Sequence, residues 1–204
     1  MALFETKINM GMKRVNLQRF FEESGKINAN TAVEIASFFD EWEMEKGFLF
    51  LREGQVSNEY LILREGFMRA WCMDTDGNEV TTAFYHGVGP VFEVASFFNR
   101  SASKENIQAL TYCAGWVITF EKLNLLFHTL PEFREFGRSI LVKGFASLKL
   151  RMLSMITETA EERYTFLIQN NPEVFQHAPL KQIASYLGIT DTSLSRIRKE
   201  MTKK

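Results

Sequence analysis

The chain has 204 residues and a net charge of −1, with 24 basic against 25 acidic side chains. Hydrophobic residues make up 46% of it, which supplies an ample core for one large domain or two small ones. No uncharged apolar run approaches the roughly 18 to 20 residues that a membrane span needs, so no membrane partner is expected. The first residues hold an early acid and no long apolar segment, so we expect a cytoplasmic protein without a secretory leader.

Residues that usually carry catalysis or bind metals are sparse and scattered. His86, His128 and His177 show no metal-type spacing. Cys72 and Cys113 lie far apart in apolar sequence, as buried free thiols of a cytoplasmic protein do. The motifs G-x-S-x-G, G-x-x-x-x-G-K-[ST] and H-E-x-x-H do not occur. We therefore expect no metal site, no catalytic residues and no enzymatic activity.

The first predicted elements are helices, followed by strands. Residues 15–42 are predicted to be helical in two segments, with Asn30 or Thr31 capping the second. From Lys46 onward, short aromatic and aliphatic stretches alternate with glycines, and Asp76 with the glycine after it forms a hairpin motif. The pattern predicts antiparallel strands from residue 46 to about 120 that close into a sandwich or barrel.

One long helix is predicted over residues 131–157. Its apolar residues follow one another at intervals of 4, 3, 4 and 3 positions. This is the spacing of a coiled-coil seam, and it predicts pairing with a second copy of the chain. These candidate dimer residues are Leu141, Phe145, Leu148, Met152 and Met155. A buried helix lying on its own barrel would show a similar apolar stripe, and that alternative stays open.

The last part of the chain has the spacing of two short helices that cross at a corner. After a helix over 160–170, capped by Thr157 or Thr159, a second apolar face is formed by Ile183, Ala184 and Leu187. The next residue is a glycine, which takes a left-handed backbone without strain and ends this helix. A further helix begins after Thr190, and its inner face is predicted to be Leu194, Ile197 and Met201.

The outer face of this corner is polar and basic. Residues 181–204 hold six lysines and arginines against two acids, whereas residues 1–180 hold 18 basic and 23 acidic side chains. A helix-turn-helix places such a face in the major groove of DNA, where arginine reads guanine and lysine contacts phosphate. The candidate DNA-binding residues are Lys181, Gln182, Thr190, Asp191, Thr192, Ser193, Ser195, Arg196 and Lys199. A helical hairpin that serves only for packing would share this pattern.

Three segments resemble the cyclic-AMP receptor protein / fumarate-nitrate regulator (Crp/Fnr) family of bacterial transcription factors. "KGFLFLREGQVSNEYLILREGFMRAW" is similar to the family's first β-roll strands, and "DTDGNEV" to the hairpin that follows. "APLKQIASYLGITDTSLSRIRKE" resembles its helix-turn-helix, especially in regulators of the Bacteroidetes type. Within it, Arg196 matches the family's guanine-reading arginine, whereas Asp191 and Thr192 replace the usual Arg-Glu pair and change the expected base preference.

The resemblance implies an α+β fold and a function. We expect a cyclic-nucleotide-binding-like β-roll sensor domain over residues 1–130, a dimerisation helix over 131–157, and a helix-turn-helix DNA-binding domain over 158–204. It also implies a homodimer that binds near-palindromic double-stranded DNA and works with RNA polymerase. The alternative is a small-molecule-binding module that regulates a protein partner and keeps a vestigial helix-turn-helix. An enzyme with a cupin-like pocket has only His86 and Glu79 as candidate residues.

The family's cyclic-nucleotide cassette is only partly matched. Glu93 fits the glutamate that binds the ribose, but Phe92 replaces the glycine before it. Arg100 and Ser101, with the alanine after them, spell the phosphate-binding triplet, yet alignment from the downstream strand puts Ser103 at the arginine position. Glu93, Arg100 and Ser101 are the candidate ligand residues, and cyclic AMP is disfavoured. An iron-sulfur cluster lacks its N-terminal cysteines and a haem lacks a placed axial histidine, so neither is expected and the effector is unknown.

Overall fold

The protein is described here by a computed structural model covering residues 17–201. The first helix, α1, covers residues 17–23 of this range, and α2 spans Ala29–Ala36. The cap of α2 is Asn28, whose side-chain oxygen accepts the Thr31 N–H at 3.0 Å, rather than the predicted Asn30 or Thr31. Residues 15 and 16 of the predicted helical stretch lie outside the described residues, as do the last three of the chain.

The prediction of helix through residue 42 is wrong, because residues 40–44 form a strand. Strand β1 (Asp40–Met44) pairs along its whole length with β8 (Cys113–Thr119), from Asp40 opposite Val117 to Met44 opposite Cys113. The ring of Trp42 also packs edge-on against Phe50 at 6.3 Å. These partners lie outside the local sequence, and long-range pairing overrides local helix propensity.

Antiparallel strands form a two-sheet β-roll in the described residues, as the glycine-punctuated sequence predicts. Sheet A has the order β1-β8-β3-β6, and sheet B has the order β2-β7-β4-β5. The other strands are β2 (Leu49–Leu51), β3 (Glu59–Glu65), β4 (Phe67–Met73), β5 (Glu79–His86), β6 (Gly89–Val91) and β7 (Asn106–Ala109). Gly66 joins β3 to β4 with a φ of 104°, and a Cβ there would collide with Cys113.

Three hydrophobic clusters form the core of residues 17–201. One lies between the two sheets and includes Leu61, Met68 and Ile107. A second, rich in phenylalanine, packs α1, α2 and the following helices on the outside of sheet A around Trp116. Two of those helices are α3 (Val94–Asn99) and α4 (Phe120–Thr129). The prediction of strands is wrong at α3, which lies inside the stretch from residue 46 to about 120, and α4 does not appear among the sequence predictions.

The long helix α5 runs over Pro131–Thr157, the range that the sequence predicts. Its proline stands in the first turn, where a missing N–H costs no hydrogen bond. Phe133, Phe136 and Gly137 are buried against the β-roll, whereas residues 141–150 are exposed on every side. No helix in the described range is long and apolar enough to cross a membrane.

Four helices follow α5 in the described residues and contribute most of the third cluster. They are α6 (Ala160–Asn170), α7 (Val174–His177), α8 (Leu180–Tyr186) and α9 (Asp191–Met201). Thr159 caps α6 in a reciprocal capping box with Glu162, which agrees with one of the two predicted caps. The third cluster joins these helices to Phe67 and Leu110 of the β-roll, so the C-terminal helices and the roll share one core.

Candidate nucleic-acid interface and ligand pocket

The corner between α8 and α9 has the geometry of a helix-turn-helix. Gly188 ends α8 with a φ of 68°, and the Ile189 N–H donates back to the Ala184 carbonyl at 3.0 Å. Ala184 is fully buried, and its small side chain lets the two helices approach closely. The side chain of Met155 lies where a Cβ at position 188 would stand, so the corner also packs on the long helix.

Helix α9 turns its apolar residues inward and its polar residues outward. Thr190 caps it, since the threonine oxygen accepts the Ser193 N–H at 3.2 Å. Leu194 is buried, and Ile197 and Met201 pack against the same cluster. The exposed residues of α9 are Asp191, Thr192, Ser195, Arg196, Arg198, Lys199 and Glu200.

The structure places the nine predicted DNA-binding residues around this one corner, but they are not equally free to reach a ligand. Lys181 is exposed near the start of α8, while Gln182 is partly buried. The Thr190 hydroxyl oxygen also lies 2.9 Å from that of Thr192 and 3.0 Å from that of Ser193. Thr190 and Ser193 thus hold the start of α9 in place, and the exposed Arg196 and Lys199 are the cations its outer face offers.

Two arginines, absent from the sequence predictions, attach α8 to the preceding helices. Arg151 of α5 donates to the Tyr186 carbonyl at 2.9 Å and stacks on the Tyr186 ring. Arg163 of α6 donates to the Leu187 carbonyl at 3.2 Å and to the Glu158 carbonyl at 2.6 Å. Cations at the C-terminal end of a helix are favoured by its dipole and by its unpaired carbonyls.

The β-roll contacts α8 and the segment between α6 and α7 from the other side. The Ser185 hydroxyl donates to the Thr81 side-chain oxygen at 3.2 Å and accepts the Thr81 N–H at 3.1 Å. His86 has its Nε2 at 3.1 Å from Asn171 Oδ1 and its Nδ1 at 3.1 Å from the Glu173 carboxylate. The orientation of the helix-turn-helix is therefore set by side chains of both the roll and the long helix.

The two residues that a cupin-like enzyme would use are not brought together. In the β4–β5 pair, His86 lies opposite Phe67 and Glu79 lies opposite Met73, which are the two ends of the ladder. Glu79 instead forms an ion pair with the buried Arg69 at 2.5 Å. No group of three or more histidine, cysteine, aspartate or glutamate side chains in the described range could hold a metal ion.

The predicted ligand residues Glu93 and Arg100 stand at opposite ends of α3. The Glu93 carboxylate caps the N-terminus of α3 by accepting the Ala95 N–H at 3.0 Å and the Ser96 N–H at 2.5 Å. A carboxylate therefore occupies the amides and positive dipole end to which a phosphate would bind. Ser101, the third predicted residue, accepts the Ser96 hydroxyl through its carbonyl at 2.6 Å.

The Arg100 side chain is hydrogen-bonded to other groups of the protein. It has a left-handed backbone, donates to the Ser57 carbonyl at 2.7 Å and to Asn58 Oδ1 at 3.0 Å, and lies 4.2 Å from the Phe120 ring centre. Ser103, which aligns with the family's arginine, is buried and donates to the Glu105 carbonyl at 2.7 Å. Neither position offers a free cation to a phosphate.

Two carboxylates, Glu93 and Glu105, interact near this segment. Burial raises the pKa of the Glu105 carboxyl above its ordinary value, and the negative charge of Glu93 raises it further. Burial also raises the pKa of the Tyr85 hydroxyl, with contributions from the same two carboxylates. A second negative charge, from a cyclic phosphate, would add to this repulsion.

The predicted dimer seam is exposed along the second half of α5. Phe145 is 72% exposed and Leu148 is 63% exposed, while Leu141 and Met152 are less so. Leu141 and Phe145 line an apolar groove of about 590 Å³ with Phe98 and Phe127. Exposed apolar patches of this kind mark surfaces that bind another protein surface.

Comparison with known proteins gives the fold of the roll. Residues 41–129 match the family model described as the cyclic nucleotide-binding domain. The β-roll therefore has the fold of that domain. None of the curated proteins matches the chain. The predicted fold class, a cyclic-nucleotide-binding-like roll followed by helices, is confirmed.

Solved structures with a similar fold include regulators from three bacteria. FixK2 from Bradyrhizobium japonicum is 16% identical with a TM-score of 0.70, covering 81% of this chain and 85% of that chain. The c-di-GMP responsive global regulator CLP from Xanthomonas campestris is 16% identical with a TM-score of 0.68, covering 86% and 92%. A transcriptional regulator of the crp/fnr family from Eubacterium rectale is 13% identical with a TM-score of 0.66, covering 87% and 85%. At these identities the likeness is one of fold.

Proposed function

We propose that this protein is a cytoplasmic, DNA-binding transcription regulator of the Crp/Fnr type, without enzymatic activity. The observation that carries the proposal is the α8–α9 corner. It is a helix-turn-helix with a buried inner side and an outer face that exposes Arg196 and Lys199. The outer residues of α9 are polar and exposed, which a hairpin kept only for its core does not require. The fold likeness to the first two structures named above covers 81% and 86% of this chain, which is more than the roll alone.

The proposed active form is a homodimer paired along α5. Leu141, Phe145, Leu148, Met152 and Met155 would be covered by the same residues of the second copy. The two copies of α9, related by a two-fold axis, would then enter successive major grooves about 34 Å apart on a near-palindromic site. RNA polymerase is the further partner that this function implies.

The proposed regulator does not use cyclic AMP. Three observations support this: the Glu93 carboxylate at the α3 N-terminus, the hydrogen bonds of Arg100 to Ser57 and Asn58, and the partly buried Glu105 nearby. An effector of other chemistry would act by changing how the α5 helices pair. The contacts of Arg151 and Ser185 would carry that change to α8.

The test is selection of duplexes from a random library by the full-length protein, followed by titration of the best site at several salt concentrations. We expect enrichment of a near-palindromic site. The plot of log K against log salt should have a slope between about −3 and −7, since each phosphate contact contributes about −0.9. Failure to enrich any sequence, together with a flat salt dependence, would favour the alternative of a module that acts on a protein partner.

A further inference from the structure

A groove of about 540 Å³ lies outside the β-roll, where α1 and α5 meet sheet A. We call it the α1–α5 groove. It is distinct from the cyclic-nucleotide cassette, since it contains no residue of α3 or of the segment after it. Its lining residues are Arg19, Phe20, Glu23, Ser24, Arg64, Val88, Trp116, Phe136, Ser139, Ile140 and Lys143. The volume falls in the range of small-molecule sites, about 300 to 1,000 Å³.

The lining of the groove is cationic in an acidic protein. Three basic residues, Arg19, Arg64 and Lys143, come from three different elements and face one acid, Glu23. Arg64 has an ion pair with Glu65 at 2.6 Å, but the glutamate is 56% exposed, and such pairs contribute little. The chain thus places a net positive charge in a concave site, which strengthens attraction for an anion.

The floor of the same groove is aromatic and aliphatic. Phe20, Phe136 and Ile140 belong to or pack on the phenylalanine-rich cluster, and Val88 at the rim is 55% exposed. Arg64 lies 5.6 Å from the ring centre of Trp116, so its guanidinium is held against the floor rather than extended into solvent. An occupant with an apolar body could bury it here.

Trp116 provides a second observation. The side chain is 1% exposed, lines the groove, and its Nε1–H finds no hydrogen-bond acceptor in the part of the chain that the structure describes. The Nε1–H groups of Trp42 and Trp71 also lack an acceptor there, but neither residue lines this groove. A buried donor without an acceptor costs free energy. The oxygen of an anionic group bound beside Arg64 would be such an acceptor.

The groove would stay open in the proposed dimer. Lys143 is two residues from Leu141 and two from Phe145, which puts it about 160° around the helix from each, given 3.6 residues per turn. The α1–α5 groove therefore faces away from the seam. A ligand here would contact α1, the roll and α5 at once.

We propose that the α1–α5 groove binds an amphipathic organic anion. Its carboxylate or phosphate group contacts Arg64, Arg19 and Lys143, and its apolar chain or ring lies on Phe20, Trp116 and Ile140. The inference does not depend on DNA binding.

The test measures binding of four probes with the same eight-carbon chain to the full-length protein, by ligand-observed NMR and tryptophan fluorescence. Octanoate and octyl phosphate should bind saturably, 1-octanol at least about tenfold more weakly, and octylammonium not at all. The difference between the two anions decides between a carboxylate and a phosphate ligand. Equal binding of the alcohol and the anions, or no saturable binding of either anion, would overturn the proposal.

Matched variants locate the site. Lys143→Gln should weaken octanoate at least about fivefold, whereas Lys149→Gln, on the same exposed helix but outside the groove, should leave binding unchanged. Trp116→Phe should abolish the fluorescence change, because Trp42 and Trp71 lie elsewhere in the roll. Because Trp116 is buried, its variant could fail to fold. The exposed Lys143→Gln is therefore the variant that tests the location of the site. Equal losses in Lys143→Gln and Lys149→Gln would place the ligand on another surface and refute the assignment.

Discussion

The guanidinium carbon of Arg151 lies 4.3 Å from the ring centre of Tyr186, and the same side chain donates to the Tyr186 carbonyl at 2.9 Å. One arginine of the long helix therefore holds the last residue of the first helix of the helix-turn-helix by both its ring and its backbone. The Tyr186 ring also packs against Phe84 of the β-roll, with ring centres 5.0 Å apart. Tyr186 is thus the residue at which the long helix, the roll and the DNA-binding corner meet.

Removing the charge of Arg151 should loosen this junction. Arg151→Met keeps the apolar stem but loses the charged hydrogen bond and the ring contact, so the free energy of unfolding should fall by about 1 to 2 kcal/mol. Affinity for the selected duplex should fall too, because α8 is then less firmly oriented. Lys149→Met, an exposed neighbour on the same helix, is the control for both melting and DNA titration. If both variants bind DNA as the wild type does, Arg151 does not determine the orientation of the helix-turn-helix.

The seam prediction concerns oligomeric state. Leu148→Glu with Met152→Glu puts four like charges at the centre of the proposed pair of α5 helices, so the dimer should dissociate while the β-roll stays folded. Light scattering gives the mass, and circular dichroism checks the fold. Lys143→Glu, on the opposite side of α5, should leave the mass unchanged. A doubly substituted chain that still has the wild-type mass would show that α5 is not the interface.

The sequence predicted best what local patterns encode. The bounds of α5, the glycine corner at Gly188 and the cap at Thr159 each depend on residues within a turn or two of one another. The misassigned β1 and α3 depend on distant partners. Trp42 lies in a stretch with a helical sequence pattern, and its pairing with β8 makes it part of a strand.

The residues of the candidate site show the same difference between local patterns and distant contacts. Arg196 could be singled out because its position in a local motif fixes its direction. Arg151 and Ser185 could not, since their roles come from contacts with Tyr186 and Thr81, which are 35 and 104 positions away. Glu93 and Arg100 match the residue types of a motif, but Glu93 caps α3 and Arg100 donates to the Ser57 carbonyl and the Asn58 side chain instead.

Cyclic AMP should not stabilise this protein. Arg100 is hydrogen-bonded to Ser57 and the Glu93 carboxylate occupies the α3 N-terminus, so neither predicted residue is free to bind the phosphate. Millimolar cyclic AMP should therefore leave both the melting temperature and the DNA affinity unchanged. A ligand at 100 times its dissociation constant would add about 2.7 kcal/mol, which a melt detects easily. An upward shift that disappears in Arg100→Ala would restore Arg100 as the phosphate ligand.

The raised pKa of Glu105 predicts how the stability of the protein depends on pH. The folded state favours the protonated carboxyl, so Glu105 costs stability as the pH rises from its ordinary value of 4.5 through the higher folded pKa. Glu105→Gln removes that cost, and its melting temperature should exceed that of the wild type at pH 7. The advantage should vanish near pH 4, where Glu105 is protonated in both states. Glu22→Gln, exposed on α1, should show no such difference. An advantage independent of pH would trace the gain to something other than ionisation.

The last prediction separates base reading from phosphate contact on α9. Arg196 is exposed while Leu194 and Ile197 pack inward, so Arg196→Ala should preserve the fold. If Arg196 pairs with a guanine edge, its loss should cost roughly 1 to 3 kcal/mol per half-site and relax preference at one base pair. Lys199→Ala, one turn further along the same face, should weaken all sequences alike and make the salt slope shallower by about one unit.

Selection from random duplexes at two salt concentrations, with the wild type and both variants in parallel, measures these effects together. Melting curves of the two variants should match the wild type, which ties any loss of binding to the outer face of α9 rather than to unfolding. A change of preference confined to Arg196→Ala assigns base reading to that arginine, because a phosphate contact carries no sequence information. An Arg196→Ala protein that selects the same sites with the same preference at every position would show that this arginine does not read bases.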